Sequence, residues 1–201
     1  MSGTGTRAQA GEPRPMRADA QRNYTRLLEA ASGAFAEHGA DDVSLEEIAR
    51  RAGVGIGTLY RHFPTRQALL EAVYTDQVES LSARAAELLR SEAPGDALAD
   101  WLRALMKFSS TKHTLTSALL ATLGTDSELL SSCAKEIKGA AESLIARAQR
   151  AGVVRQDADA KDVIRLVHAV NIATEKAPDS GQADRMLALI LDGLRPPPGA
   201  G

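Results

Sequence analysis

A single cysteine, Cys133, leaves this chain without an internal disulfide or a thiolate metal site and suits a reducing compartment. Aromatic residues are also scarce at 3%, so the apolar content is mostly Ala and Leu. That balance favours helices, and no run of alternating β-branched residues asks for a sheet. Long hydrophobic runs are absent. The longest, residues 186–191, is far below the roughly 20 residues that cross a bilayer. The first residues lack the apolar core of a secretory signal, so neither a membrane span nor a leader is expected. Catalytic constellations are missing too: no nucleophile–base pair, metal motif or phosphate loop stands at usable spacing. No enzyme, cofactor or metal is therefore expected. His113 and His168 come nearest to a metal pair, but no third ligand follows at a recognisable spacing. The glycine-rich run 53–57 follows a capped helix rather than a strand, which excludes a dinucleotide loop.

The net charge of −2 says nothing for nucleic acid, but its distribution does. Residues 1–26 carry five arginines (Arg7, Arg14, Arg17, Arg22 and Arg26) against Glu12 and Asp19, a balance of +3. Residues 67–201 carry the opposite balance, −3. A basic leading end on an acidic body suits a polyanion-binding head.

Helical periodicity accounts for most of the chain. Tyr24, Leu27, Leu28, Ala31 and Phe35 place a first helix over residues 19–38, with Gly39 ending it. Ser44 reads as the N-cap of a second helix, Glu47 as its capping-box partner, and Val43 as a staple on Ile48. That helix stops at Gly53. A third, over 55–62, is halted by Pro64, and a long fourth runs from 65 to 90. Further helices are placed near residues 96 and 114, over 125–152 behind a Thr125/Glu128 capping box, after Asp159, and over 183–194. The expectation is an all-α chain of about nine helices. Residues 1–17 form a disordered basic arm, 18–66 a helix-turn-helix head, 67–195 a helical body, and 196–201 a disordered tail.

The head carries the chemistry. Ile48, Ala49 and Leu59 can close one core across the turn, Val54 plugs the corner, and Phe63 ties the third helix to the first. Gly53 supplies the left-handed conformation that the bend requires. What remains on the outside of the third helix is Gly55, Ile56, Thr58 and Arg61, flanked by Tyr60 and His62. Such a helix can enter a DNA major groove.

The linked motifs AAxxxFAEHG at 30–39, VSLEEIARRAGV at 43–54 and GTLYRHFPTRQALLEAV at 57–73 resemble the tetracycline-repressor (TetR/AcrR) family of bacterial regulators. The resemblance implies that the third helix reads double-stranded DNA, with Gly55, Ile56, Gly57, Thr58 and Arg61 at or near base edges. Thr58 would meet a thymine methyl, and Arg61 a guanine edge or a phosphate. Tyr60, His62 and Arg66 match phosphate-holding positions, and Ser44 can combine capping with a phosphate contact. For Tyr60, core packing is the alternative. Many relatives have Ser or Thr where Gly55 stands, which removes one hydroxyl contact. Arg14 and Arg17 either reach an adjacent minor groove or stay solvated.

For the body, the resemblance implies a ligand-binding core and a homodimer built from the last two helices. Trp101, Leu105, Phe108, His113, Leu120, Ile137, His168 and Asn171 are the candidate pocket residues, mostly apolar with a few polar fixers. Each is equally readable as core. Few aromatics and little charge suggest an apolar or amphipathic effector. The last helix is apolar on more than one face, so it needs a partner as well as a core. Val167, Met186, Leu187, Ile190, Leu191 and Leu194 are the candidate dimer residues. The implied function is a ligand-responsive repressor that leaves a palindromic operator when an effector binds. A transcriptional activator of the same family and a helical protein-binding adaptor remain as alternatives.

Overall fold

The computed structural model describes residues 14–124, 127–175, 179 and 181–197, with the side chains of 14–17 and 110–114 outside that description. Every regular element among them is a helix: α1 (Arg14–His38), α2 (Leu45–Ala52), α3 (Ile56–His62), α4 (Arg66–Leu88), α5 (Pro94–Leu123), α6 (Glu128–Arg150), α7 (Ala160–Thr174) and α8 (Gln182–Gly193). Most of the expected arm and part of the expected tail lie outside the described residues, and α1 begins earlier than the periodicity implied, at Arg14.

The head forms where the sequence placed it, and local chemistry explains why. Ser44 is extended, and its hydroxyl accepts the Glu47 N–H at 3.1 Å. Such a cap stabilises a helix by about 1 kcal/mol. The reciprocal half of the capping box is replaced. The Glu47 carboxylate instead takes Arg50 at 2.7 Å and Arg51 at 2.8 Å, within its own helix. At the other end Gly53 sits at φ 65°, ψ 36°. There the Gly53 N–H reaches Arg50 O at 3.1 Å and the Val54 N–H reaches Ala49 O at 3.0 Å. This is a Schellman closure, and only a residue without Cβ enters it without strain.

Helix α4 crosses the expected head–body boundary, packing on α1 at one side and on α5 and α6 at the other. Thr65 caps its start by accepting the Ala68 N–H at 3.1 Å. Two half-buried arginines hold its ends. Arg66 donates to Val43 O at 2.6 Å and to Ala40 O, fixing the α1–α2 connection. Arg147 from α6 donates to Leu88 O at 3.2 Å and to Ser91 O, satisfying carbonyls at the C-terminal end. Midway, the buried Trp101 indole N–H donates to Leu81 O at 3.0 Å and so stitches α5 to α4.

The body differs from the sequence reading in two places. The helices placed near residues 96 and 114 are one 30-residue helix, α5, whose first residue is Pro94. Proline fits there because the first N–H of a helix has no partner to lose. Thr125 lies outside the described residues, and Ser127 caps α6 by accepting the Leu130 N–H. Asp159 does cap α7, accepting the Lys161 N–H at 2.8 Å.

Candidate nucleic-acid interface and body cavity

Helix α3 has two unlike faces. Leu59 is fully buried, with Ile48, Ala49, Leu27 and Phe35 in the same core cluster. The opposite face is open: Ile56 is 38% exposed, Tyr60 45%, and Gly55, Gly57 and Arg61 are exposed as well. Thr58 is half-buried beside them. Tyr60 therefore stands outside the core. His62 is more committed, because its ring meets Tyr24 edge-on at 5.8 Å and lies 6.2 Å from Phe63.

The arginines of the head divide by their partners. Arg51 bridges α1 and α2, donating to Glu37 at 2.6 Å and to Glu47 at 2.8 Å. These hydrogen bonds and charges hold both carboxyls below the usual range. Arg50 is engaged by Glu47. Among the described residues Arg61 makes neither an ion pair nor a hydrogen bond. It is the cation left available on α3. Arg66, expected to hold a phosphate, instead binds two backbone carbonyls through its guanidinium, which lies 5.9 Å from the centre of the Phe35 ring. Ser44 is exposed at the start of α2, with its oxygen engaged in the cap. Arg26 is a contact that sequence reasoning missed. Its guanidinium lies against Gly53, so close that a Cβ there would come within 2.8 Å.

The expected pocket residues separate into groups. Leu120, His168 and Asn171 do line one cavity, of about 520 Å³, between α5, α7 and the start of α8. Trp101, Leu105 and Ile137 are buried core instead, at 0%, 1% and 4% exposure. Phe108 lines a different cleft, beside Asp76, Gln77 and Arg84. His113 is among the side chains outside the description. The remaining walls of the main cavity come from Ser109, Thr116, Ser117, Ile172, Thr174, Glu175 and Ala183, none of them singled out from sequence. For Ser109, Thr116 and Ser117 the signal was a run of hydroxyl residues interrupting the apolar stripe of α5. Ser109 and His168 Nδ1 lie 3.3 Å apart across α5 and α7, and Asn171 donates to Met106 O at 3.0 Å.

One wall residue touches the helix that leads to the head. The Thr116 hydroxyl interacts with the buried Tyr74 phenol of α4 without completing a well-formed hydrogen bond. Burial, foremost, pushes the Tyr74 pKa up to about 12; Cys133 adds to the rise and Thr116 opposes it.

The expected dimer face also needs correction. Val167, Leu187 and Leu194 are buried within the subunit, at 0%, 2% and 8% exposure, and Met186, Ile190 and Leu191 are half-buried. The open apolar side chains of α7 and α8 are Leu166 at 50%, Ile172 at 65% and Leu189 at 71%. On a helix, moving from residue 167 to 166 rotates the side chain by about 100°, which takes it from core to solvent. No helix among the described residues is long and apolar enough to cross a membrane.

Residues 27–73 match the family model described as bacterial regulatory proteins, tetR family, and residues 93–196 match one described as the C-terminal domain of SbtR-like transcriptional regulators. An HTH-type transcriptional regulator of Mycobacterium tuberculosis is 32% identical over 168 residues, covering 77% of this chain and 80% of that protein. Among solved structures, a TetR transcriptional regulator from Streptomyces coelicolor superposes with a TM-score of 0.77 at 37% identity, covering 86% of this chain and 98% of the other. A TetR transcription regulatory protein from Mycobacterium vanbaalenii gives a TM-score of 0.73 at 39% identity, covering 90% and 99%.

Proposed function

Because the chain belongs to the TetR family of bacterial DNA-binding transcriptional regulators, we propose that it acts in the cytoplasm as a homodimeric repressor released from a palindromic operator by a small molecule. The observation that carries the proposal is the two-sided α3: its inner face is locked into the core, while Ile56, Gly57, Tyr60 and Arg61 are exposed and uncommitted. Ile56, Gly57, Thr58 and Arg61 read base edges, Gly55 lies at the groove, and Tyr60, His62 and Ser44 hold flanking phosphates.

A two-fold pair presents two such helices, and half-sites one helical turn apart, about 34–36 Å, match that symmetry. The apolar side chains of α7 and α8 left open by the subunit, Leu166 and Leu189 foremost, supply the contact. An effector in the α5–α7–α8 cavity acts on α4 through the Thr116–Tyr74 contact, and Arg66 carries the shift of α4 to the α1–α2 connection. Induction of 5- to 150-fold needs an effector that prefers the released state by about 1–3 kcal/mol.

Selection of bound duplexes from random sequence tests this reading, with a two-fold symmetric site expected. Leu189→Glu, at an exposed position, is expected to give a folded monomer in sedimentation equilibrium that binds the selected site far more weakly. An asymmetric single site, or a dimer undisturbed by the substitution, would contradict the proposal.

A further inference from the structure

Arg26 is an exposed residue of α1 whose side chain reaches the turn between α2 and α3. One terminal nitrogen of its guanidinium lies 2.8 Å from where a Cβ of Gly53 would stand, so the turn and the guanidinium share a space that only glycine leaves open. Gly53 is held at φ 65°, and Gly55, two residues on, is the N-cap of α3. Two residues of chain span at most about 7 Å, which sets the Arg26 head group beside the start of α3. A cation of α1 thus joins the edge of a surface otherwise built from α2 and α3.

The chemistry of that edge favours a phosphate. Gly55 brings no side chain to it, and a Cβ at Gly55 or Gly57 would meet no heavy atom within 4 Å, so a duplex can come close to the main chain there. A phosphate held that near faces backbone alone unless a neighbouring element supplies donors, and a planar guanidinium offers it two parallel N–H groups. The other arginines around the turn are held elsewhere: Arg50 and Arg51 by Glu47, Arg51 also by Glu37, and Arg66 by two carbonyls. Glu29, three residues along α1 from Arg26, lies toward α4, where burial first and Glu29 second raise the pKa of Asp76.

We propose that Arg26 is a DNA-backbone contact: its guanidinium holds a phosphate beside the N-terminal end of α3 and so fixes how that helix is seated in the groove. The inference rests on reading α3 as the helix that meets DNA. A phosphate contact positions the protein without reading sequence, and its signature is salt dependence. One such contact per half-site contributes about 0.9 to the slope of log affinity against log salt, so from about 50 to 200 mM salt the ratio of wild-type to variant affinity changes by about 3.5-fold per half-site.

Full-length wild type, Arg26→Ala, Arg26→Lys and Arg61→Ala are titrated against the selected duplex by anisotropy across that salt range, with Tm measured on the same preparations. Arg103→Ala, at an exposed cation of α5 in the body, controls for the loss of one positive charge. Arg26→Ala is expected to bind more weakly, to flatten the salt slope by about one per half-site, and to keep its Tm within about 1–2 °C. Arg26→Lys and Arg103→Ala are expected to keep the wild-type slope. An unchanged slope in Arg26→Ala would overturn the inference, and a lowered Tm beside it would make Arg26 a prop of the turn alone. A slope lost equally in Arg103→Ala would reduce the effect to net charge and overturn the inference too. Arg61→Ala separates this failure from that of the functional reading. Weakened binding by Arg61→Ala beside an unchanged Arg26→Ala would leave α3 as the helix that meets DNA, whereas wild-type binding by both would overturn that reading as well.

Discussion

Adding one methyl group to α3 is expected to make the protein more stable and a poorer DNA binder. Gly57 lies in the first turn of α3 at negative φ, and an added Cβ would meet no heavy atom within 4 Å. Nothing inside the subunit therefore requires glycine there, while glycine weakens a helix by about 0.5–1 kcal/mol relative to alanine. Placement in the first turn favours the lower figure. For a chain of this size about 0.5 kcal/mol corresponds to a rise of about 1–2 °C in Tm. A residue that costs stability on an exposed helix face is explained if its missing side chain lets the backbone approach the groove. Gly57→Ala then holds α3 away from the base edges, and a loss of at least about tenfold in operator affinity, about 1.4 kcal/mol, is expected. Thermal unfolding by circular dichroism and anisotropy on the selected duplex measure the two effects on the same preparation. Unchanged DNA affinity would refute the close approach at Gly57, and a lowered Tm would refute the claim that the position is open.

Arg66→Ala leaves the Ala40 and Val43 carbonyls without their donors and is expected to destabilise the head by about 2–3 kcal/mol, read as a lower Tm. A phosphate contact at Arg66 would instead lower the salt slope of DNA binding by about one, and that slope is expected to stay unchanged. Tyr74 carries a pH signature. Its folded pKa is raised from 10.0 to about 12, so unfolded chains ionise first and stability falls as pH rises through that window. The slope is at most about 1.4 kcal/mol per pH unit. In denaturant melts, Tyr74→Phe is expected to flatten this decline, and an unchanged decline would contradict the burial of the phenol.

The head was legible because its signals are local. Ser44, Gly53 and Asp159 act within a few residues of themselves, and each sits where capping chemistry placed it. The capping box failed only where a nearer competitor existed, since Arg50 and Arg51 displace the Ser44 N–H from Glu47. The body was harder to read because its features are long-range. Separate helices were placed near residues 96 and 114, yet α5 is continuous there, and its Ser109, Thr116 and Ser117 face the cavity. Trp101 and Ile137 lie on apolar faces like any pocket residue, and only packing shows that those faces are filled. Periodicity found the apolar content of α7 and α8 but did not tell the buried Val167 from its exposed neighbour Leu166. Arg66 carried no hint in the sequence that two carbonyls more than twenty positions away would claim it.

The central claim is that the open face of α3, with its uncommitted cation, is what meets DNA. It is tested most directly by binding the selected duplex to wild type, Tyr60→Ala and Arg61→Ala across a series of salt concentrations. Both residues are exposed, so both variants are expected to fold. Each is expected to bind more weakly, by about 1–3 kcal/mol for Arg61→Ala if it pairs with a guanine edge, or with a salt slope reduced by about one if it pairs with a phosphate. Wild-type affinity and wild-type slope in both variants would contradict the account.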